Sequence, residues 1–122
     1  MGRKFQQIAV ERKGSGDIFC VRLRNSHMEE PQILALTEEI LSLISEDNCR
    51  KLVLSLGPGD LTCLYSVFLA KLVMIRRHLL EKGGKLTISE ATPATIGVFD
   101  ACHLKDYFEF HPDQDSAIAS FK

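Results

Sequence analysis

The sequence predicts an α/β domain. Its sheet is four- to five-stranded, mixed and mostly parallel, with an antiparallel edge strand and about four packing helices. Three observations predict it. After an opening pair of strands, β-rich and helix-period segments alternate in the order β-β-α-β-α-β-α-β-α. One short segment, residues 51–56 (Lys-Leu-Val-Leu-Ser-Leu), is a nearly continuous apolar run, as suits a central strand buried on both faces. Glycine, proline and helix-capping residues punctuate the chain at nearly every junction. The 122 residues suffice for one domain, 1–122.

Each element has its own warrant. Residues 5–11 alternate around Ile8 and Val10 and predict the first strand. Residues 13–17 are a turn cluster, and the β-rich residues 18–24 complete an opening hairpin. Asn25-Ser26-His27 breaks the pattern. A helix follows over 28–44: Glu29, Glu30 and Pro31 suit its first turn, and Ile33, Leu36, Ile40, Leu43 and Ile44 fall on one face. The central strand at 51–56 ends at Gly57-Pro58-Gly59-Asp60. A second helix spans 64–82 and stops at Gly83-Gly84, where glycine supplies the left-handed cap. Residues 85–89 form a strand. Thr92-Pro93 caps a third helix with a stripe of Ile96, Phe99 and Cys102. Residues 107–110 form the last strand, and Asp113 caps a final helix carrying Ala117, Ile118 and Phe121. Three successive β-α-β crossovers imply parallel pairing.

Composition excludes several function classes. The net charge is −1 and the pI about 6.4; a balance this neutral argues against a dedicated nucleic-acid binder, because neutralising phosphates needs a basic face. No apolar run is long enough for a membrane span, and residues 1–7 lack the apolar core of a secretory signal. A cytoplasmic protein without membrane insertion is expected. Cys20, Cys49, Cys63 and Cys102 form no C-x-x-C and are expected as reduced thiols. Cys63 precedes the second helix, where the dipole would depress a thiol pKa. His27, His78, His103 and His111 are dispersed and suggest no metal. No nucleophile, base and orienting group occur together. The expectation is a non-enzymatic protein without catalytic residues, cofactor or metal.

The second helix is unusual. Phe68, Leu72, Ile75 and Leu79, with Leu64, lie within an arc of about 80° and form its core stripe. Leu69, Val73 and Leu80 widen that side. On the outer face Val67, Ala70 and Met74 make a second small apolar stripe, flanked by Ser66 and Lys71. One reading packs the helix on two sides within its own domain. The other makes the stripe a docking face for a weak or transient partner. A phosphate on Ser66, near the helix start, would be favoured by the dipole and would add charge beside that face.

The element order resembles the STAS domain of sulphate-transporter tails and anti-sigma factor antagonists. The resemblance rests on the strand 51–56, the helix start 64–73, Gly83-Gly84 leading to the next strand, and Thr92-Pro93 followed by Val98-Phe99 and Leu104. It covers residues 5–121. It implies a signal-transduction module in transcription regulation. Such a module docks a kinase-type anti-sigma factor (a serine kinase-like protein) through the second helix, as a monomer or weak dimer. The family's Asp-Ser-Ser-Gly motif falls on Tyr65, Ser66, Val67 and Phe68, so only the first serine is matched and Val67 holds the usual acceptor position. Either Ser66 is the phosphoacceptor, or the domain binds constitutively. The partner-binding residues implied are Tyr65, Ser66, Val67, Ala70, Lys71 and Met74, with Asn25 and Ser26 where the family often has an acidic residue. Some STAS-like domains sense nucleotides or lipids, which is the alternative.

Overall fold

A computed structural model describes residues 5–57, 59–63 and 65–121. The predicted break at Pro58 and the core position Leu64 lie outside the described residues. The elements run β1 (Ile8–Lys13), β2 (Ile18–Leu23), β3 (His27–Met28), α1 (Glu30–Glu46), β4 (Lys51–Ser55) and β5 (Thr62–Cys63). They continue with α2 (Tyr65–Glu81), β6 (Lys85–Ser89), α3 (Pro93–Ala101), a 3-10 turn (Lys105–Tyr107), β7 (Glu109–His111) and α4 (Gln114–Ala119).

The main sheet has five strands in the order β1-β2-β4-β6-β7. β1 pairs antiparallel with β2, and every other pairing is parallel. The crossovers through α1, α2 and α3 therefore join neighbouring parallel strands, as the alternating pattern predicts. Strand alternation divides the side chains between two faces. Phe19, Val21, Leu52, Leu54, Leu86 and Ile88 enter a large core with α1, α2 and Phe99 of α3. Ile18, Cys20 and Val53 face the other way, against Ala117 of α4.

The helix ends follow local chemistry. α2 closes with Gly83 at φ +80°, where its N–H donates to Leu80 O (3.0 Å) and the Gly84 N–H to Leu79 O (2.7 Å). That is the double hydrogen bond of a Schellman cap, and the left-handed residue at its centre favours glycine. Thr92 caps α3 by accepting from the Thr95 N–H (3.2 Å), and Asp113 caps α4 by accepting from the Ser116 N–H (2.8 Å).

Several boundaries differ from expectation for physical reasons. β1 begins at Ile8 and extends to Lys13, two residues beyond the predicted end. An edge strand with one face in water tolerates the charges of Glu11, Arg12 and Lys13, and the turn is tightened by Arg12 Nε donating to Gly16 O (2.8 Å). α1 starts at Glu30, because Met28 is instead buried in β3. Cys102 is exposed, not part of a buried stripe: α3 ends at Ala101 and His103 turns left-handed at φ +60°. The last strand starts at Glu109, because Tyr107 closes the 3-10 turn with Arg76 stacked 4.1 Å above its ring. Leu80 is 49% exposed although Leu79 beside it is fully buried: one residue, about 100° of helix rotation, carries it off the core side.

Candidate protein-docking face

α2 has Phe68, Leu69, Leu72, Ile75 and Leu79 buried. Its Arg76 flank leans on Tyr107. At about 100° per residue, Val67, Ala70 and Met74 lie on the opposite, outer side. The structure places them in graded exposure. Ala70 is exposed, Met74 is half-buried, and Val67 is half-buried with its side chain packed on the margin of the main core. Val67 thus belongs to the rim of the core, and Ala70 and Met74 carry the outer stripe. Lys71 is half-buried beside it and Ser66 is exposed at the second residue of α2.

Tyr65, the first residue of α2, is half-buried. Its hydroxyl donates to Leu61 O (3.1 Å) and its ring meets Phe68 edge-on at 6.4 Å. The aromatic side chain thereby fastens the helix start to the buried Leu61.

Asn25 and Ser26 are exposed at the end of β2, far from α2 in sequence. The fold brings them to it. The Thr62 N–H donates to Ser26 O (2.7 Å), and β3 pairs in parallel with β5 in the register His27↔Thr62 and Met28↔Cys63. This two-stranded sheet stands immediately before α2. Sequence reading missed it, because two-residue strands carry no periodicity; the buried Met28 after a polar loop was the available signal. Two hollows open around it. One, of about 320 Å³, lies between Asn25, Ser26, Gly57 and Gly59. The other, of about 430 Å³, has Met28, Pro31 and Cys63 in its wall and Glu29 and Glu30 at its rim.

The loop that delivers α2 is tied to its neighbours. The Arg22 guanidinium donates to both carboxylate oxygens of Glu90 (2.7 and 3.2 Å) and to Gly57 O (3.4 Å). The carboxylate raises the Arg22 pKa above its already high ordinary value. Glu90 sits at φ +61°, and a Cβ on Gly57 would lie 2.5 Å from Glu90 O. Only glycine fits that approach. The Thr92 hydroxyl donates to Asp60, linking the loop after β4 to the cap of α3.

Burial pushes the Cys63 thiol up to about 11, opposite to the dipole effect expected from its place before a helix. Burial likewise raises Cys20 and pushes Cys49 up to about 12. These three are thiols near neutrality, not thiolates. Among the described residues no cluster of three or more His, Cys, Asp or Glu forms a metal site. No helix of the described residues is long and apolar enough to cross a membrane.

No protein-family model matches the chain, and no curated protein matches it in sequence. Solved structures do match. The Bacillus cell fate determinant SpoIIAA in its phosphorylated form superposes with a TM-score of 0.70 at 14% identity, over 94% of this chain and 99% of that one. The anti-sigma factor antagonist SpoIIAA in its unphosphorylated form gives 0.74 at 14% identity, over 93% and 95%. An anti-sigma-factor antagonist (STAS) domain protein from Planctomyces limnophilus gives 0.77 at 14% identity, over 94% and 98%. With the strand order, the parallel crossovers and these superpositions together, the chain has the fold of the STAS domain.

Proposed function

We propose that this protein is a non-enzymatic regulatory module of the anti-sigma factor antagonist kind, which docks a kinase-type anti-sigma factor through the outer face of α2. The observation that carries the reading is the placement of apolar surface. Ala70 is exposed and Met74 half-buried on α2, Ser66 is exposed in its first turn, and the Asn25–Ser26 segment is tied to the strand before that turn through Thr62. A small apolar patch bordered by Lys71 and Ser66 suits a contact that forms and releases. Solved anti-sigma factor antagonists of the same fold support the kind of role.

Regulation at this face has two forms. If Ser66 accepts phosphate, roughly −1.5 to −2 charges arrive beside Ala70 and expel an apolar partner. If it does not, Val67 at the usual acceptor position leaves a constitutive binder. Incubation with the partner kinase and ATP, followed by mass spectrometry of residues 60–70, separates the two.

The docking test is direct. The tagged protein is recovered from its own cells, the kinase-type partner is identified and purified, and the pair is titrated calorimetrically. Met74→Glu buries a charge in an apolar contact and weakens binding by about 1–3 kcal/mol, or roughly 5–150-fold in Kd. An unchanged Kd for that variant removes α2 as the docking face.

A second reading, the sensing of a nucleotide or lipid, draws on the hollow of about 320 Å³ beside Asn25 and Gly57. A specific ligand there raises the melting temperature in a thermal-shift screen. Gly59→Phe, closing the hollow, abolishes that shift.

A further inference from the structure

The face of the sheet beneath α4 has a polar floor. Ser55, Thr87 and Ser89 are each fully buried, at 0% exposure. Ser55 Oγ and Ser89 Oγ share a hydrogen bond of 2.6 Å, and Gln114 Nε2 of α4 donates to Ser55 Oγ at 3.2 Å. Thr87 lies on the same face, between Val53 of β4 and Glu109 of β7. Its hydroxyl is the one fully buried side-chain polar atom without a hydrogen-bond partner among the described residues.

What holds α4 down is slight. The helix has six residues, of which Ala117 alone is buried. Ile118 and Phe121 are half-buried against Ile18, Cys20 and Val53, and Lys85 Nζ lies 5.3 Å above the Phe121 ring. The floor continues outward into charged groups: Arg22 paired with Glu90, and Glu109 paired with both Lys85 (3.1 Å) and His111 (2.6 Å). A helix lifted from this floor uncovers hydroxyls and ion pairs, with only a small apolar area.

We propose that α4 with Phe121 is a detachable strap, which lifts from the sheet as a unit while the α1–α2 side stays folded, and that the Thr87 hydroxyl sets how readily it lifts. In the docked state that hydroxyl is desolvated and unbonded. In the lifted state water bonds it. Docking therefore carries the desolvation penalty of one hydroxyl, against the attraction of a small apolar contact. Local opening of this kind belongs to elements with few buried apolar contacts. The proposal is independent of what docks on α2.

Native-state amide exchange on the full chain tests it. The helical amides of Ala117, Ser120 and Phe121 are expected to exchange at least about 100-fold faster than the β4 and β6 ladder amides. Fraying of any short C-terminal helix would give the same contrast, so two variants isolate Thr87. Thr87→Val keeps the shape and the β-branch and removes the hydroxyl; protection of the α4 amides rises about tenfold, and the ladder amides, which exchange by global unfolding, gain no more than that. Thr87→Ser keeps the hydroxyl and gives no such rise. Two results overturn the proposal: α4 amides as protected as the ladder, or Thr87→Val leaving α4 protection unchanged or lower.

Discussion

On the α1–α2 face of the sheet, strand residues meet two helices of 17 residues each, and the contact is almost wholly apolar: Ile33, Ile40, Leu43, Phe68, Leu72, Ile75 and Leu79 close over Leu52, Leu54 and Ile88. On the other face the same strands meet a helix of six residues over Ile18, Cys20 and Val53, and then give way to Ser55, Thr87 and Ser89. The backbone ladders are shared, so the difference lies in what each face buries. At about 1.5–3 kcal/mol for each fully buried large aliphatic side chain, the first face supplies most of the stability. The second supplies little, and its polar floor makes it the place where the fold opens at least cost.

The largest expected effect comes from the first face. Phe99 is fully buried, with Phe108 and Phe110 packed edge-on at 5.5 and 5.1 Å. Phe99→Ala leaves a cavity between them and lowers the unfolding free energy by about 3–5 kcal/mol in urea denaturation. Ile118→Ala on the α4 face removes a half-buried side chain and lowers it by roughly 1 kcal/mol or less. Equal losses for the two variants would break the contrast between the faces.

The next effect sits where β4 and β6 end. Gly57→Ala forces a Cβ to within 2.5 Å of Glu90 O and 2.9 Å of Glu90 Cβ, both on a left-handed residue whose carboxylate is paired with Arg22. Neither loop can yield without straining that pair. The expected loss is about 1–3 kcal/mol in the same denaturation experiment, typical of overpacking. Partner affinity is expected to fall as well, because the loop from Gly57 delivers α2. A Gly57→Ala protein of unchanged stability would mean that the loops move apart freely, and that the sheet end does not fix the start of α2.

The contrast between faces also explains what the sequence made legible. The α1–α2 face was readable because long helices repeat their apolar residues many times: Ile33 to Ile44 and Phe68 to Leu79 each give several turns of signal. Caps were readable because Thr92, Asp113 and Gly83 act through local geometry. The α4 face was readable only in outline. Ala117, Ile118 and Phe121 mark a helix, but nothing in the order of residues says that Thr87 ends beneath it without a partner. The pairing of His27–Met28 with Thr62–Cys63 joins segments far apart in the chain, and two residues cannot show a period. On the outer side of α2 the helical wheel placed Val67, Ala70 and Met74 outward together; the tertiary packing that draws Val67 onto the core margin is not written in the helical period. The tie from Arg22 to Glu90 spans three strands, and charge alone at those positions did not distinguish it from a solvated surface pair.

The smallest effect is electrostatic and falls on the α4 side. Burial raises the Glu109 carboxyl, but hydrogen bonds from His111 and Lys85 outweigh it and hold the group below the ordinary carboxylate range. The Ser116 N–H that Asp113 caps holds its carboxyl low too. A carboxyl depressed in the folded state stabilises that state fully above its unfolded pKa, and the contribution disappears as pH falls through the folded value. Glu109 is about two-fifths exposed, so its share is roughly 0.5 kcal/mol or less after solvent screening. Asp113 acts through the first turn of α4 itself. On acidification from neutrality to about pH 3, the Cα chemical shifts of α4 should move toward coil values before those of α2, since α4 has its Asp113 cap to lose, the β6–β7 edge beneath it has the Glu109 pairs to lose, and little apolar burial resists. If the two helices instead lose their shifts in one transition, acid does not tell the faces apart, and α4 is bound more firmly than its contacts with Ile18, Cys20 and Val53 imply.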